Sequence, residues 1–184
     1  MKHFRKEVMT LPNMLTILRL ILVPCFLCSY CVKHHPGQAA VVLLLSGVTD
    51  VADGYFARRF HQVSDLGKIL DPVADKLTQG VVLLCLATQF PQLVALAVIL
   101  GAKELIGGCF SLAMIGQTGK VESARWHGKL SALLLYGVMM AHLLYPGIPE
   151  SLTAWMILLS GGTMLLSFVL YGWEKGKLYG NAAE

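Results

Sequence analysis

Six apolar stretches, each close to twenty residues long and separated by only a few polar positions, leave this chain few ways to fold. They fall at roughly residues 11–32, 38–60, 67–90, 91–115, 128–146 and 150–173. A helix needs about 20 apolar residues to cross the hydrocarbon of a bilayer. No water reaches the backbone there, so each N–H and C=O must pair within its own segment, and helices achieve this. No strand alternation or solenoid repeat competes. Composition agrees, with 55% hydrophobic and 14% charged residues, against about 25% charged in soluble domains. The sequence therefore predicts an all-α integral membrane protein of six transmembrane helices, with residues 1–184 forming one membrane-embedded domain.

The breaks have local causes. His35-Pro36-Gly37 separates the first two stretches, Pro91 the third from the fourth, and Pro146-Gly147-Ile148-Pro149 the last two. Proline disfavours helical geometry in the residue before it. The first stretch is too long for a signal peptide and lacks a small-residue cleavage site, so it is expected to remain as a span.

Positive charge sets the orientation. Lys2, Arg5 and Lys6 precede the first span; Arg58, Arg59 and Lys68 flank the second connection; Lys120, Arg125 and Lys129 flank the fourth; Lys175 and Lys177 follow the last. The opposite side has only Lys33. Both termini and these loops are expected in the cytoplasm, at a bacterial-type cytoplasmic membrane. The net charge of +4 then reflects loops facing anionic headgroups. With no soluble basic domain, it does not point to nucleic acid. Five cysteines, Cys25, Cys28, Cys31, Cys85 and Cys109, have no zinc-type loop around them and read as small membrane-buried hydrophobes.

Against this apolar background stand four carboxylates. Asp50 and Asp53 are spaced i, i+3 on the second helix, and Asp71 and Asp75 i, i+4 on the third. Asp53 and Asp71 are equidistant from Gln62, and Asp50 and Asp75 nearly so. A tight antiparallel hairpin centred near His61-Gln62 therefore brings all four to one level in the cytoplasmic half of the membrane. One Asp at a helix centre costs about 2.5–3.5 kcal/mol on an insertion scale. Arg58, Arg59, Lys68 and Lys76 are candidate counter-charges, but long side chains near the turn reach the interface instead. Divalent cations fit better, because Mg²⁺ prefers carboxylate and phosphate oxygens. Two ions about 3.5–4 Å apart clamp both oxygens of an in-line phosphoryl displacement. Gly54, Ala57 and Gly67 leave room for a phosphate or ribose beside the backbone, and Arg58 suits bidentate phosphate contact. The competing reading is a salt-bridged hairpin whose glycines serve helix packing.

The full pattern, Asp50-x2-Asp53-Gly54-x2-Ala57-Arg58-x8-Gly67-x3-Asp71-x3-Asp75, resembles the signature of the CDP-alcohol phosphatidyltransferase family at every defined position. The stretch from Pro12 to Arg19 is similar to that family's first helix, and Leu70 to Lys76 is most like its bacterial phosphatidylglycerophosphate synthase branch. The resemblance implies CDP-diacylglycerol as donor, CMP as leaving group, and Mg²⁺ or Mn²⁺, two ions, as cofactor. It implies Asp50, Asp53 and Asp71 as metal ligands with Asp75 near the metal and acting as base. It places Gly54, Ala57, Arg58 and Gly67 against the cytidine diphosphate, and it implies a homodimer. Asn13 and Thr16, near the cytoplasmic end of the first span, are candidates for the nucleotide pocket; helix capping is the alternative for Asn13.

For the acceptor, the branch implies sn-glycerol 3-phosphate, giving phosphatidylglycerophosphate. That anion needs cations, and the candidates are Lys103, inside the fourth span, with Lys120, Arg125 and Lys129. Lys103 alternatively forms a structural salt bridge, and the other three are also ordinary positive-inside charges. Lys103-Glu104 stands where the branch usually has Arg-Glu. Trp126-His127-Gly128-Lys129 is similar to its Trp-x-Gly-Lys stretch, but Leu130-Ser131-Ala132 replaces the usual second lysine and threonine. A cardiolipin synthase-type acceptor, inositol phosphate or serine stays open. Arg19, at mid-span, is expected to pair with either a carboxylate or a substrate phosphate. A membrane prenyltransferase would need a second Asp-rich motif, and a divalent-cation transporter related halves with broken helices; neither is visible.

Overall fold

The computed structural model describes residues 11–59, 65–118 and 126–180. Among these residues there is no strand. Helix α1 (Leu11–Leu27) is prolonged by a π turn (Cys28–Val32), and α2 (Pro36–Arg59) and α3 (Asp65–Ala87) follow. A 3₁₀ turn (Pro91–Leu93) leads into α4 (Val94–Thr118), and α5 (Trp126–Leu144) and α6 (Glu150–Gly180) complete the order. Each expected apolar stretch has its helix.

The breaks fall at the expected prolines. In the π turn the Lys33 N–H donates to the Cys28 carbonyl at 2.9 Å. His34 then takes φ 52°, a left-handed conformation that ends the turn. Pro36 opens α2, where a missing N–H leaves no carbonyl unserved. Phe90 is bent out of helical geometry, with φ −121° and ψ 80°, and Pro91 starts the next turn. Pro24 and Pro72 lie inside α1 and α3. Pro72 lacks the N–H that would donate to the Lys68 carbonyl, so the α3 ladder loses that one hydrogen bond.

Three helical segments are long and apolar enough to cross a membrane by length and composition: Asn13–Val32, Pro91–Gly108 and Glu150–Leu170. Gly128–Leu144 is apolar but shorter. Helices α2 and α3 carry the acidic residues, which lowers their hydropathy. Yet the exposed stripe of α2 is aliphatic. Val41, Leu44, Leu45 and Val48 are all at least half exposed, while Ser46 and Asp53 on the same helix are buried. This is the reverse of a helix at a water-facing protein surface.

The chain divides into two compact units. The first comprises Met1–Gln89 with Leu143–Pro146. Here α1 packs along both α2 and α3. Its buried side chains include Phe26, Ala39, Ala40, Leu43, Ala74, Val82 and Leu86. Phe26 and Tyr30 stack with ring centres 5.8 Å apart.

The second unit comprises Phe90–His142 and Gly147–Glu184. In it α4 packs against α6. His142 is buried and bonded on both ring nitrogens: Nδ1 donates to the Val138 carbonyl at 2.8 Å, and Nε2 lies 3.2 Å from the Thr153 hydroxyl. Phe90 meets the same ring edge-on at 4.8 Å.

The close approach of α4 and α6 depends on Gly161. A Cβ there would lie 3.2 Å from Ile99 Cδ1 and 3.5 Å from Leu96 Cδ2, whereas a Cβ at Gly162 would meet nothing within 4 Å. Gly161→Val is expected to cost about 1–3 kcal/mol through overpacking. It should lower the thermal midpoint of the detergent-solubilised protein, while Gly162→Val leaves the midpoint nearly unchanged. Equal midpoints for the two variants would show that the α4–α6 contact does not run through Gly161.

Candidate active site

The site is built on the inward faces of α1, α2 and α3. On α1, Asn13, Thr16 and Arg19 recur every three residues and are all buried, Arg19 completely. Asn13 lies within the helix that is already formed at Leu11, so it is not the cap. On α2, Asp50 is half-buried, Asp53 is buried and Gly54 is half-buried. On α3, Gly67 is buried, and Asp71 and Asp75 are half-buried one turn apart.

Arg19 holds the first two carboxylates together. Nη1 lies 2.7 Å from Asp50 Oδ1, and Nη2 donates to Asp53 Oδ2. One guanidinium thus spans an i, i+3 pair, which suits its planar fork of donors. The Thr16 hydroxyl donates to Asp71 Oδ1, tying α1 to α3 one turn below Arg19. Asp50, Asp53 and Asp71 are thus joined through α1, the first two by Arg19 and the third by Thr16 one turn away. Asp75 accepts from Gln79 Nε2 at 3.0 Å.

The structure therefore gathers three of the four carboxylates around α1, with Asp75 on the next turn of α3. The counter-charge seen here is Arg19, from a different helix than the four cations first considered, and of its two expected partners it takes the carboxylates. Register would have revealed it. Arg19 and the midpoint of Asp50 and Asp53 are almost equidistant from the His35-Pro36 turn, as antiparallel neighbours require.

The donor set fits a hard divalent cation. It offers carboxylate oxygens only, and a single guanidinium stands against three acids in these contacts. The described residues contain no group of three His, Cys, Asp or Glu side chains already in ligand geometry. Arg19 contacts one oxygen of each α2 carboxylate.

The remaining predicted residues are distributed as follows. Ala57 and Arg58 lie in the last turn of α2. Lys103, on α4, pairs with the adjacent Glu104 at 3.5 Å, each side chain about a quarter exposed. Lys129 is exposed near the start of α5. Ser131, buried at the departure from the expected basic stretch, donates to its own helix at the Gly128 carbonyl, 2.9 Å away. Lys120 and Arg125 lie outside the described residues, as does the centre of the predicted hairpin turn at His61-Gln62.

An all-helical protein with membrane-length apolar segments and a buried cluster of carboxylates suits chemistry on a phosphorylated lipid. Comparison of the sequence gives the class. A family model described as CDP-alcohol phosphatidyltransferase matches residues 9–170, and the chain belongs to that family of transferase enzymes. It is 30% identical over 178 residues to a CDP-diacylglycerol–glycerol-3-phosphate 3-phosphatidyltransferase of Pseudomonas fluorescens, covering 89% of this chain and 88% of that protein. A protein of the same name from Rickettsia felis is 29% identical over 156 residues, covering 79% and 86%. A cardiolipin synthase (CMP-forming) of Streptomyces coelicolor is 46% identical, but over 76 residues, 39% of this chain and 35% of that protein.

Removing Arg19 should expose the coupling in this cluster. Arg19→Met strands buried Asp53 and its neighbour Asp50, and breaking a buried pair costs about 3–5 kcal/mol. The double variant with Asp53→Asn is expected to recover part of that loss. Thermal midpoints in detergent decide it: strictly additive losses would mean that the two side chains are not coupled.

Proposed function

We propose that this protein transfers the phosphatidyl group of CDP-diacylglycerol to the primary hydroxyl of sn-glycerol 3-phosphate, releasing CMP. The observation that carries the reading is the clustering of Asp50, Asp53 and Asp71 within a chain whose family match runs from residue 9 to 170. The acceptor follows the two relatives matched over most of their length.

The acceptor oxygen attacks the lipid-side phosphorus, the bond from that phosphorus to the CMP oxygen breaks, and the hydroxyl proton passes to Asp75. Gln79 orients the Asp75 carboxylate through its 3.0 Å hydrogen bond. Mg²⁺ or Mn²⁺, in two positions held by Asp50, Asp53, Asp71 and Asp75, would neutralise charge on the pyrophosphate. Gly54 and Gly67 would let the nucleotide approach the backbone, Ala57 and Arg58 would contact the diphosphate, and Asn13 and Thr16 would line the nucleotide pocket. Lys103, Lys120, Arg125 and Lys129 supply the charge for an anionic acceptor. No covalent enzyme intermediate is required.

In this reading the chain is one catalytic domain that crosses the membrane six times, with both termini and the carboxylates at the cytoplasmic face. The aliphatic outer stripe of α2 supports membrane burial of a helix whose acidic residues lower its hydropathy. The active unit is a homodimer, which light scattering of the protein–detergent complex would reveal or exclude. A cardiolipin synthase-type acceptor is the second reading. Leu130-Ser131-Ala132 favours it, since the expected second cation is absent there.

One assay tests this. The purified protein receives CDP-diacylglycerol, divalent metal and one alcohol at a time: glycerol 3-phosphate, phosphatidylglycerol, inositol phosphate or serine. CMP with phosphatidylglycerophosphate is expected. CMP with another lipid would overturn the acceptor, and no CMP with any alcohol would overturn the donor. Asp75→Asn is expected to retain CDP-diacylglycerol binding and lose about 10²–10⁴-fold in turnover; joint loss of both would make Asp75 chiefly a ligand. Lys103→Ala is expected to raise KM for glycerol 3-phosphate about tenfold or more at similar kcat, the loss of one charge-assisted contact. An unchanged KM removes Lys103 from the pocket.

A further inference from the structure

At the far end of the α1–α3 interface from the carboxylates, Cys31 Sγ lies 3.7 Å from Cys85 Sγ. Read from the sequence, both are small hydrophobes on separate apolar helices. The structure brings them together through register. Thr16 meets Asp71 across 55 residues of chain, and Cys31 meets Cys85 across 54. Two parallel helices keep such a separation constant, and the change by one residue has a visible source. Between the two contacts α1 contains the π turn Cys28–Val32, whose wider coil takes up one more residue than α3 uses over the same rise. The turn thereby sets Cys31 level with Cys85, roughly 21 Å along the helices from the Thr16–Asp71 contact at 1.5 Å per residue.

We propose that Cys31 and Cys85 close a disulfide that staples α1 to α3 at the end of the first unit opposite the carboxylates. A disulfide bond is about 2.05 Å long, so closure brings the sulfurs roughly 1.7 Å nearer, within the swing of the two side chains. The chemistry is asymmetric. Cys31 is exposed, two residues before Lys33, and Cys85 is buried. The Cys31 thiolate attacks an external disulfide, such as glutathione disulfide, and expels one thiolate. The Cys85 thiolate then attacks the Cys31 sulfur and expels the second. Two protein thiols are oxidised to one disulfide, the external disulfide is reduced to two thiols, and the two cysteine protons leave with them. The compartment rests on the orientation proposed above. With the carboxylates at the cytoplasmic face, this pair lies at the outer face, where disulfides persist.

The test uses the full-length wild-type protein in native membranes and after purification. Samples are equilibrated with glutathione disulfide and acid-quenched, and free thiols are blocked with N-ethylmaleimide. After reduction, the released thiols are tagged with a polyethylene glycol maleimide. Two tags per chain are expected, together with a cross-linked peptide joining Cys31 to Cys85. Cys31→Ser should carry no tag, Cys85→Ser should carry one, left by the unresolved Cys31–glutathione mixed disulfide, and both should still release CMP. No tags in the wild type, or two tags persisting in Cys31→Ser, would overturn the pairing. The wild-type peptide map decides the matter even where a variant fails to fold. In intact cells, a membrane-impermeant reductant is expected to remove the tags. Removal only by a permeant reductant would overturn the outer-face placement. A chain that releases no CMP would overturn the functional reading and leave the peptide map unaffected.

Discussion

A buried arginine shared by two aspartates holds this structure in register. Arg19 has no exposed surface, and Asp53 almost none. Either charge alone in a membrane costs about 2.5–3.5 kcal/mol even on a lenient scale. Together they are tolerable only where the fork of the guanidinium meets both α2 carboxylates. Sliding α2 by one turn along α1 would strand a charge at each end, so the pair fixes the depth and the rotation of one helix against the other. The Thr16–Asp71 hydrogen bond does the same for α3. The residues that align the helices are therefore the residues that gather the acids.

The acids are not equivalent. Asp53 is enclosed with Arg19, while the Asp50 side chain is 42% exposed although it touches the same guanidinium. Asp71 and Asp75 are also partly open. The cluster therefore grades from an enclosed ion pair to half-buried carboxylates. In the proposed reaction that gradient has a use. The enclosed end supplies rigidity, and the open end receives cations, pyrophosphate and the acceptor from water while the acyl chains stay in lipid.

Much of this was legible beforehand, and for identifiable reasons. Helix number and limits follow from apolar length and from Pro36, Pro91 and Pro149, because both signals act within a few residues. The facing of Asp50 and Asp53 toward Asp71 follows from helical spacing and a short connection. The cation among them was harder. Arg58, Arg59, Lys68 and Lys76 were candidates, and Arg19 was open between a carboxylate and a phosphate; its burial against Asp50 and Asp53 is what the structure adds. For Lys103 the sequence left an acceptor contact and a salt bridge both open, and the structure sets it 3.5 Å from the adjacent Glu104.

The sequence by itself determined the helices, their membrane-length apolar character and the spacing of the acids, since each depends on local periodicity and on the cost of wetting or drying a side chain. Only the tertiary structure decided which partner each polar group takes. Arg19 with Asp50 and Asp53, Thr16 with Asp71, and Cys31 with Cys85 all depend on how far one helix is shifted and turned against another. A π turn that changes the register by one residue is enough to alter that, and nothing in the neighbouring residues announces it.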